Sequence, residues 1–134
     1  MSGNLNSVLI DGNLTRDPET KTTPRGSKIC NFGLASNRYY EQNDERVKEV
    51  SFFEIESWSR LAEACGNHLT KGRGVRVVGR LKQDRWADPD GNARNRVKIV
   101  AEHIIFKPII TKPAEADNTI EEGTQYDLAV AENE

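Results

Sequence analysis

The sequence predicts an all-β fold interrupted by one helix, and three observations carry that expectation. Short apolar runs recur at alternating spacing, a single segment has helical periodicity, and turn residues stand between the runs. At 134 residues, 36% of them hydrophobic, the chain is long enough for one domain with its own core and too short for two.

The first strand runs from Ser7 to Leu14, centred on Val8-Leu9-Ile10, and Thr15-Arg16-Asp17-Pro18 turns the chain out of it. A second turn, Pro24-Arg25-Gly26, precedes a strand from Lys28 to Asn37 in which Cys30, Phe32 and Leu34 alternate. The segment from Tyr39 to Lys48 reads as a long charged loop. The third strand, Val50 to Trp58, leads into a helix from about Arg60 to Lys71, capped by Ser59, stopped at Gly72, with Leu61, Cys65 and Leu69 on one face. Strands four and five, Val75 to Trp86 and Arg94 to Phe106, are joined through Asp88-Pro89-Asp90-Gly91. Three strands, a helix and then a hairpin predict a five-stranded OB-fold, a Greek-key barrel with its helix between strands three and four.

The net charge of −2 averages two unlike regions. Residues 1–111 hold 18 of the 19 basic and 14 of the 21 acidic residues, a net of +4, whereas residues 112–134 set Lys112 against seven carboxylates, a net of −6. We therefore expect a mildly basic domain over 1–111, ending near Lys107-Pro108, and an acidic, disordered tail over 112–134. No stretch approaches the ~20 apolar residues of a membrane span, and Met1 to Asn6 lacks a basic start before an apolar run, so a soluble, cytoplasmic protein is expected. Cys30 and Cys65 lack a CxxC partner, and His68 and His103 stand apart from other ligand types. Buried free thiols are expected, with neither a metal nor another cofactor.

Strand parity locates the candidate chemistry. In strand four, Val75, Val77, Gly79 and Leu81 share one face, while Arg76, Val78, Arg80, Lys82 and Trp86 share the other. Strand five repeats the pattern, with Val97, Ile99 and Ala101 inward and Arg94, Arg96 and Lys98 outward. Paired, the two strands place up to six basic residues on one surface, a complement to nucleic-acid backbone. Charges on the wet face of a sheet are ordinary, so aromatic partners decide the matter. In strand three, Phe53 and Ile55 face one way, whereas Phe52 and Trp58 fall on the polar side with Glu54 and Glu56. Aromatics beside cations hold single strands regardless of sequence, because every base has a π-face that duplex hides.

At this point the chain resembles the bacterial-type single-stranded DNA-binding proteins over about residues 5 to 106. The resemblance is carried by Gly12-Asn13-Leu14-Thr15-Arg16-Asp17-Pro18, Leu34-Ala35-Ser36, Trp58-Ser59-Arg60-Leu61-Ala62-Glu63, and Arg85-Trp86-Ala87-Asp88 ahead of Asp90-Gly91. It implies base stacking on four aromatic positions, Tyr40, Phe52, Trp58 and Trp86, of which Tyr40 and Phe52 stand where the family commonly has tryptophan. It also implies single-stranded DNA as partner, a homotetramer, and a role in DNA replication, recombination and repair. Glu54 and Glu56 depart from the family, and two carboxylates there are expected to repel phosphate locally. The family recruits replication and repair proteins through an acidic tail with a Pro-Phe tip. Here the sequence closes on Val130-Ala131-Glu132-Asn133-Glu134, acidic but without that tip, so recruitment and mere solubilisation are both open for the tail.

Two other function classes compete. Glu54 and Glu56, at i and i+2, are spaced like a nuclease's metal-binding pair, but no third carboxylate or nearby histidine completes the set. An interaction module, whose exposed aromatics bury against another protein, shares the fold class and stays open.

Overall fold

The computed structural model describes residues 3–108; the acidic segment 112–134 lies outside them. Among the described residues the elements are, in order, β1 Val8–Leu14, β2 Glu19–Thr22, β3 Lys28–Gln42, β4 Glu45–Trp58, α1 Ser59–His68, β5 Gly74–Ala87 and β6 Ala93–Phe106. Neighbours in the sheet run β1-β5-β6-β4-β3-β2, and a further β1–β3 pairing at Asn13↔Ala35 and Leu14↔Leu34 closes the ring. The closed barrel thus uses β1, β3, β4, β5 and β6, the five predicted strands, with α1 between β4 and β5. It is an OB-fold. Four polar residues, Glu19 to Thr22, add β2 along the margin of β3, a strand that no apolar alternation announces.

Closure demands close approach between β1 and β3. A Cβ on Gly12 would lie 2.5 Å from the Ala35 carbonyl oxygen and 2.8 Å from Leu34 Cγ, so only a residue without a side chain lets the strands meet. The alternate residues of the strands then fill the barrel with Phe32 and Leu34 of β3, Ile55 of β4, Val75 and Val77 of β5 and Ile99 of β6, and a register irregularity brings Ile104, on the other phase of β6, to the same core; all are almost wholly buried. Each such side chain contributes roughly 1.5–3 kcal/mol by leaving water. The helix plugs one end with Ala62 and Cys65, and Leu69 just beyond it is also buried.

The helix differs from expectation at both ends. Ser59 is its first residue rather than its cap; Trp58 occupies the cap position and makes no side-chain capping bond. The chain turns the corner from β4 with Ser59 at φ 60°, a left-handed conformation uncommon for a residue with a side chain. At the far end the helix stops at His68, three residues short of the expected Lys71, because Leu69 swings to extended backbone and buries its side chain. Gly72, at φ 92°, serves the following turn, where its N–H bonds the Leu14 carbonyl.

The charged segment from Tyr39 to Lys48 is not a loop. β3 and β4 continue through it as a two-stranded ribbon, in register from Ile29↔Trp58 to Gln42↔Glu45. Asn43 and Asp44, at φ 53° and 63°, supply the paired left-handed residues of a tight two-residue hairpin turn. A ribbon that projects beyond the barrel has water on both faces, so its sequence lacks the apolar alternation that marks a half-buried strand. Its side chains instead meet across the strands, Arg38 with Glu49 at 3.4 Å and Arg46 over the Tyr39 ring, and along β3, where Arg38 lies over the Tyr40 ring.

Beyond the barrel the β5–β6 hairpin behaves likewise. Leu81 and Val97, expected inward, are 47% and 56% exposed, because the hairpin has left the core by that point. A register shift between Val78 and Gly79 marks the bend. No helix among the described residues is long and apolar enough to cross a membrane.

Candidate nucleic-acid interface

Three strands build the candidate surface. β6 lies between β4 and β5, antiparallel to β5 and briefly parallel to β4 through Ile55↔Ile99 and Glu56↔Val100. Paired residues share a face, so Phe52, Glu54, Glu56 and Trp58 of β4 join Val100, Lys98, Arg96 and Arg94 of β6 and Arg80, Lys82, Asp84 and Trp86 of β5. Phe52, Trp58 and Trp86 stand 70%, 41% and 48% exposed there. Trp86 lies directly opposite Arg94.

The cations are held in different ways. Asp88 organises the tip of the hairpin: one oxygen accepts the backbone N–H groups of Asp90 and Asn92, and the other accepts Arg94 Nε at 2.9 Å. Bonding from the Asn92 backbone leads the causes that hold the Asp88 carboxyl below its usual range, with burial opposing and Arg94 assisting. Lys82 meets Asp84 at 3.0 Å, and Arg80 approaches Glu102 only at 3.9 Å. Arg96 has no ion-pair partner among the described residues. These four groups remain substantially exposed, and ion pairs on a wet surface exchange readily for phosphate.

Arg76 and Lys98 do not join them. Arg76 lies near the start of β5, ten positions before Trp86, which is ~33 Å along an extended strand. There it grips Asp11 through two bonds of 2.7 and 3.0 Å, and Arg76 first, then Lys107, hold the Asp11 carboxyl low against the effect of burial. Lys98, expected outward, is 8% exposed. Its ammonium lies 2.8 Å from Glu56 Oε2 and 2.8 Å from Asp84 Oδ2. Burial disfavours the Lys98 charge, but the two carboxylates outweigh it and raise its pKa above the ordinary lysine value. Asp84 is correspondingly held at about 2, chiefly by Lys98 and then by Lys82.

Glu54 and Glu56, expected to repel phosphate, each have a cationic partner. Glu54 pairs with Arg16 at 2.8 Å, while Glu56, 9% exposed, accepts from Lys98 and from Trp58 Nε1 at 3.0 Å. Both carboxylates carry their counter-charges with them. Among the described residues no three His, Cys, Asp or Glu side chains gather in a way that would hold a metal ion.

Tyr40 does not share the parity of Phe52. In the ribbon register Ala35 opposes Phe52, which places Tyr39 on the Phe52 side and Tyr40 on the other. Tyr39 is 52% exposed and was not among the sequence candidates. Its signal was available only to a reading that placed the hairpin turn at Asn43-Asp44. Arg16 carried no signal at all, since its partner Glu54 is 38 positions away.

A model of the Single-strand binding protein family matches residues 5–107. The chain belongs to the single-strand binding protein family. The Single-stranded DNA-binding protein of Treponema pallidum is 41% identical over 100 residues, which cover 75% of this chain and 56% of that protein. Its namesake in Deinococcus radiodurans is 38% identical over 105 residues, 78% of this chain and 35% of the other. The Aquifex aeolicus protein is 37% identical over 119 residues, 88% and 78% of the two chains. Against the first two relatives, then, this chain spans about half and about a third of their length. Among solved structures, a Plasmodium falciparum SSB in complex with ssDNA superposes with a TM-score of 0.72 over 79% of this chain and 97% of that one, at 23% identity. That superposition establishes a common fold. The family is one of binding proteins rather than enzymes.

Proposed function

We propose that the wet face of β4, β6 and β5 binds single-stranded DNA with little sequence preference. The observation that carries this is the exposure of Phe52, Trp58 and Trp86 on one face with Arg94, Arg96, Arg80 and Lys82. Large aromatics left in water at a domain surface call for a partner of matching chemistry. Unpaired bases offer flat apolar faces, and each stacked base is worth ~1–3 kcal/mol, a range taken from proteins of this kind rather than derived from this geometry. The names of the relatives agree with the choice of partner.

In this mechanism Trp58, Trp86 and Phe52 stack bases on the barrel face, and Tyr40 and Tyr39 do so from the two sides of the β3–β4 ribbon. Arg94, Arg96, Arg80 and Lys82 neutralise phosphates, with Arg96 the most available. Arg76, at the far end of β5, and Lys98, buried between Glu56 and Asp84, have smaller roles. The domain over 1–111 acts as a homotetramer in the cytoplasm, at the nucleoid, protecting single strands during replication, recombination and repair. The acidic segment 112–134 either contacts proteins of those processes or keeps the protein in solution.

Titration of tryptophan fluorescence with oligothymidine tests the proposal, with duplex as control and EDTA present. Quenching by single strands that survives EDTA and weakens with salt is expected. Arg96→Ala should flatten the log–log salt dependence by roughly 0.7 per lost contact. Equal response to duplex, or none, refutes it, and magnesium-dependent cleavage would favour the nuclease instead.

A further inference from the structure

Glu56 is a near-buried carboxylate in the middle of a surface proposed to hold polyanions, and both of its oxygens are used. Oε1 accepts the indole N–H of Trp58 at 3.0 Å, and Oε2 accepts Lys98 Nζ at 2.8 Å. Lys98 is in turn fixed by Asp84 at 2.8 Å, and Asp84 accepts Lys82 at 3.0 Å. A chain of alternating charge therefore runs from Lys82 and Asp84 of β5 through Lys98 of β6 to Glu56 of β4, and ends on the edge of the Trp58 ring, which is 41% exposed. The backbone beneath that ring is constrained too, since Trp58 sits at the sharp corner before Ser59.

We propose that Glu56 is a positioning residue for base stacking: its carboxylate, itself aligned by Lys98, clamps the indole N–H of Trp58 so that the ring presents a fixed π-face to the nucleic acid. The inference rests on the single-strand-binding function proposed above and adds to it a residue that touches no DNA. An unclamped tryptophan in water samples several rotamers and loses that freedom on binding. An indole whose N–H is already satisfied has no donor left for a base edge, so it recognises through its face alone and stays indifferent to sequence. The clamp therefore serves affinity and sequence indifference together.

Two substitutions of equal charge and similar length separate this role from simple electrostatics. In a Lys98→Met background, where no ammonium competes for the single amide oxygen, Glu56→Gln keeps a carbonyl that can accept the indole N–H, whereas Glu56→Met keeps bulk and loses the acceptor. In full-length protein carrying Lys98→Met and Trp86→Phe, so that Trp58 alone reports, oligothymidine affinity should fall about 2- to 10-fold in the Met variant relative to the Gln variant. Gln should stay close to the parent. If the two variants bind alike, whether both weakly or both well, the clamp is refuted.

A measurement on the unmutated protein covers the case in which either variant fails to fold. In a ¹⁵N spectrum the Trp58 indole proton should exchange with solvent more slowly than that of Trp86. Equal exchange refutes the clamp. Trp58→Ala distinguishes the two levels of inference. If it weakens oligothymidine binding while Gln and Met variants behave alike, only the role of Glu56 falls; if it has no effect, stacking on Trp58 falls and the clamp with it.

Discussion

Removing the ammonium of Lys98 should cost stability and leave phosphate binding intact, the reverse of what a surface lysine on a basic face would do. In Lys98→Met, the Glu56 carboxylate keeps only the Trp58 N–H, and Asp84 keeps only Lys82. The side chains of Lys98 and Glu56 are 9% and 12% exposed, so the pair falls under the energetics of buried ions. Breaking such a pair from one side costs ~3–5 kcal/mol, because the remaining charge is stranded. Glu56 retains one hydrogen bond and some contact with water, which places the expected loss near the lower end, at ~3 kcal/mol. For a domain of this size that corresponds to a fall of ~12 °C or more in Tm. Replacing both partners, as Glu56→Met with Lys98→Met, should restore most of the loss, since an apolar pair of similar volume strands nothing. Urea denaturation at fixed protein concentration gives the stabilities, and oligothymidine titrations across salt give the phosphate count for the well-folded double variant. A loss below ~1 kcal/mol in the single variant is the behaviour of an exposed ion pair and would refute the buried assignment. A flatter salt slope in the double variant would show Lys98 meeting phosphate after all.

Acid stability should depend on Asp84. Its folded pKa of about 2 lies below the ordinary value of 3.8, so it stabilises the fold above pH ~4, and this is lost as pH falls toward 2. Asp84→Asn should accordingly be less stable than the parent at pH 6, with most of the gap closing as pH falls from about 4 to about 2; a gap that stays constant over that range would show another origin. Cys30 and Cys65 should resist a thiol reagent at pH 8 until guanidinium is added, since burial pushes them up to about 11 and about 12. Rapid labelling of the native protein would mean the barrel opens there. Gly79→Ala should destabilise the domain by ~1–3 kcal/mol, measurable by urea denaturation, because the new methyl collides with the backbone carbonyl of Val100 across β5 and β6. A neutral result would show that the bulge absorbs a side chain.

Period-two alternation made the barrel strands legible, because Cys30, Phe32, Leu34, Val75, Val77 and Ile99 each had a dry side to face, whereas Ile104 reaches the core only through the register shift that changes the phase of β6. The same rule failed wherever a ribbon left the barrel. Tyr39 to Lys48 looked like a loop, and Leu81 and Val97 looked like core, since alternation reports burial and these segments have water on both faces. Three of the four aromatic positions share a face as parity requires, while Tyr40 falls on the opposite side of its ribbon.

By itself, then, the sequence determined the class of fold, the order of its strands and the aromatics and cations available for a binding face, because those follow from local periodicity and residue chemistry. Tertiary structure decided which charges remain available. Lys98 and Glu56 are 42 residues apart and have opposite formal meanings on a DNA-facing surface, yet their juxtaposition across β4 and β6 cancels both. Ion pairing depends on distances of a few ångströms between strands. No spacing along the chain records such a distance.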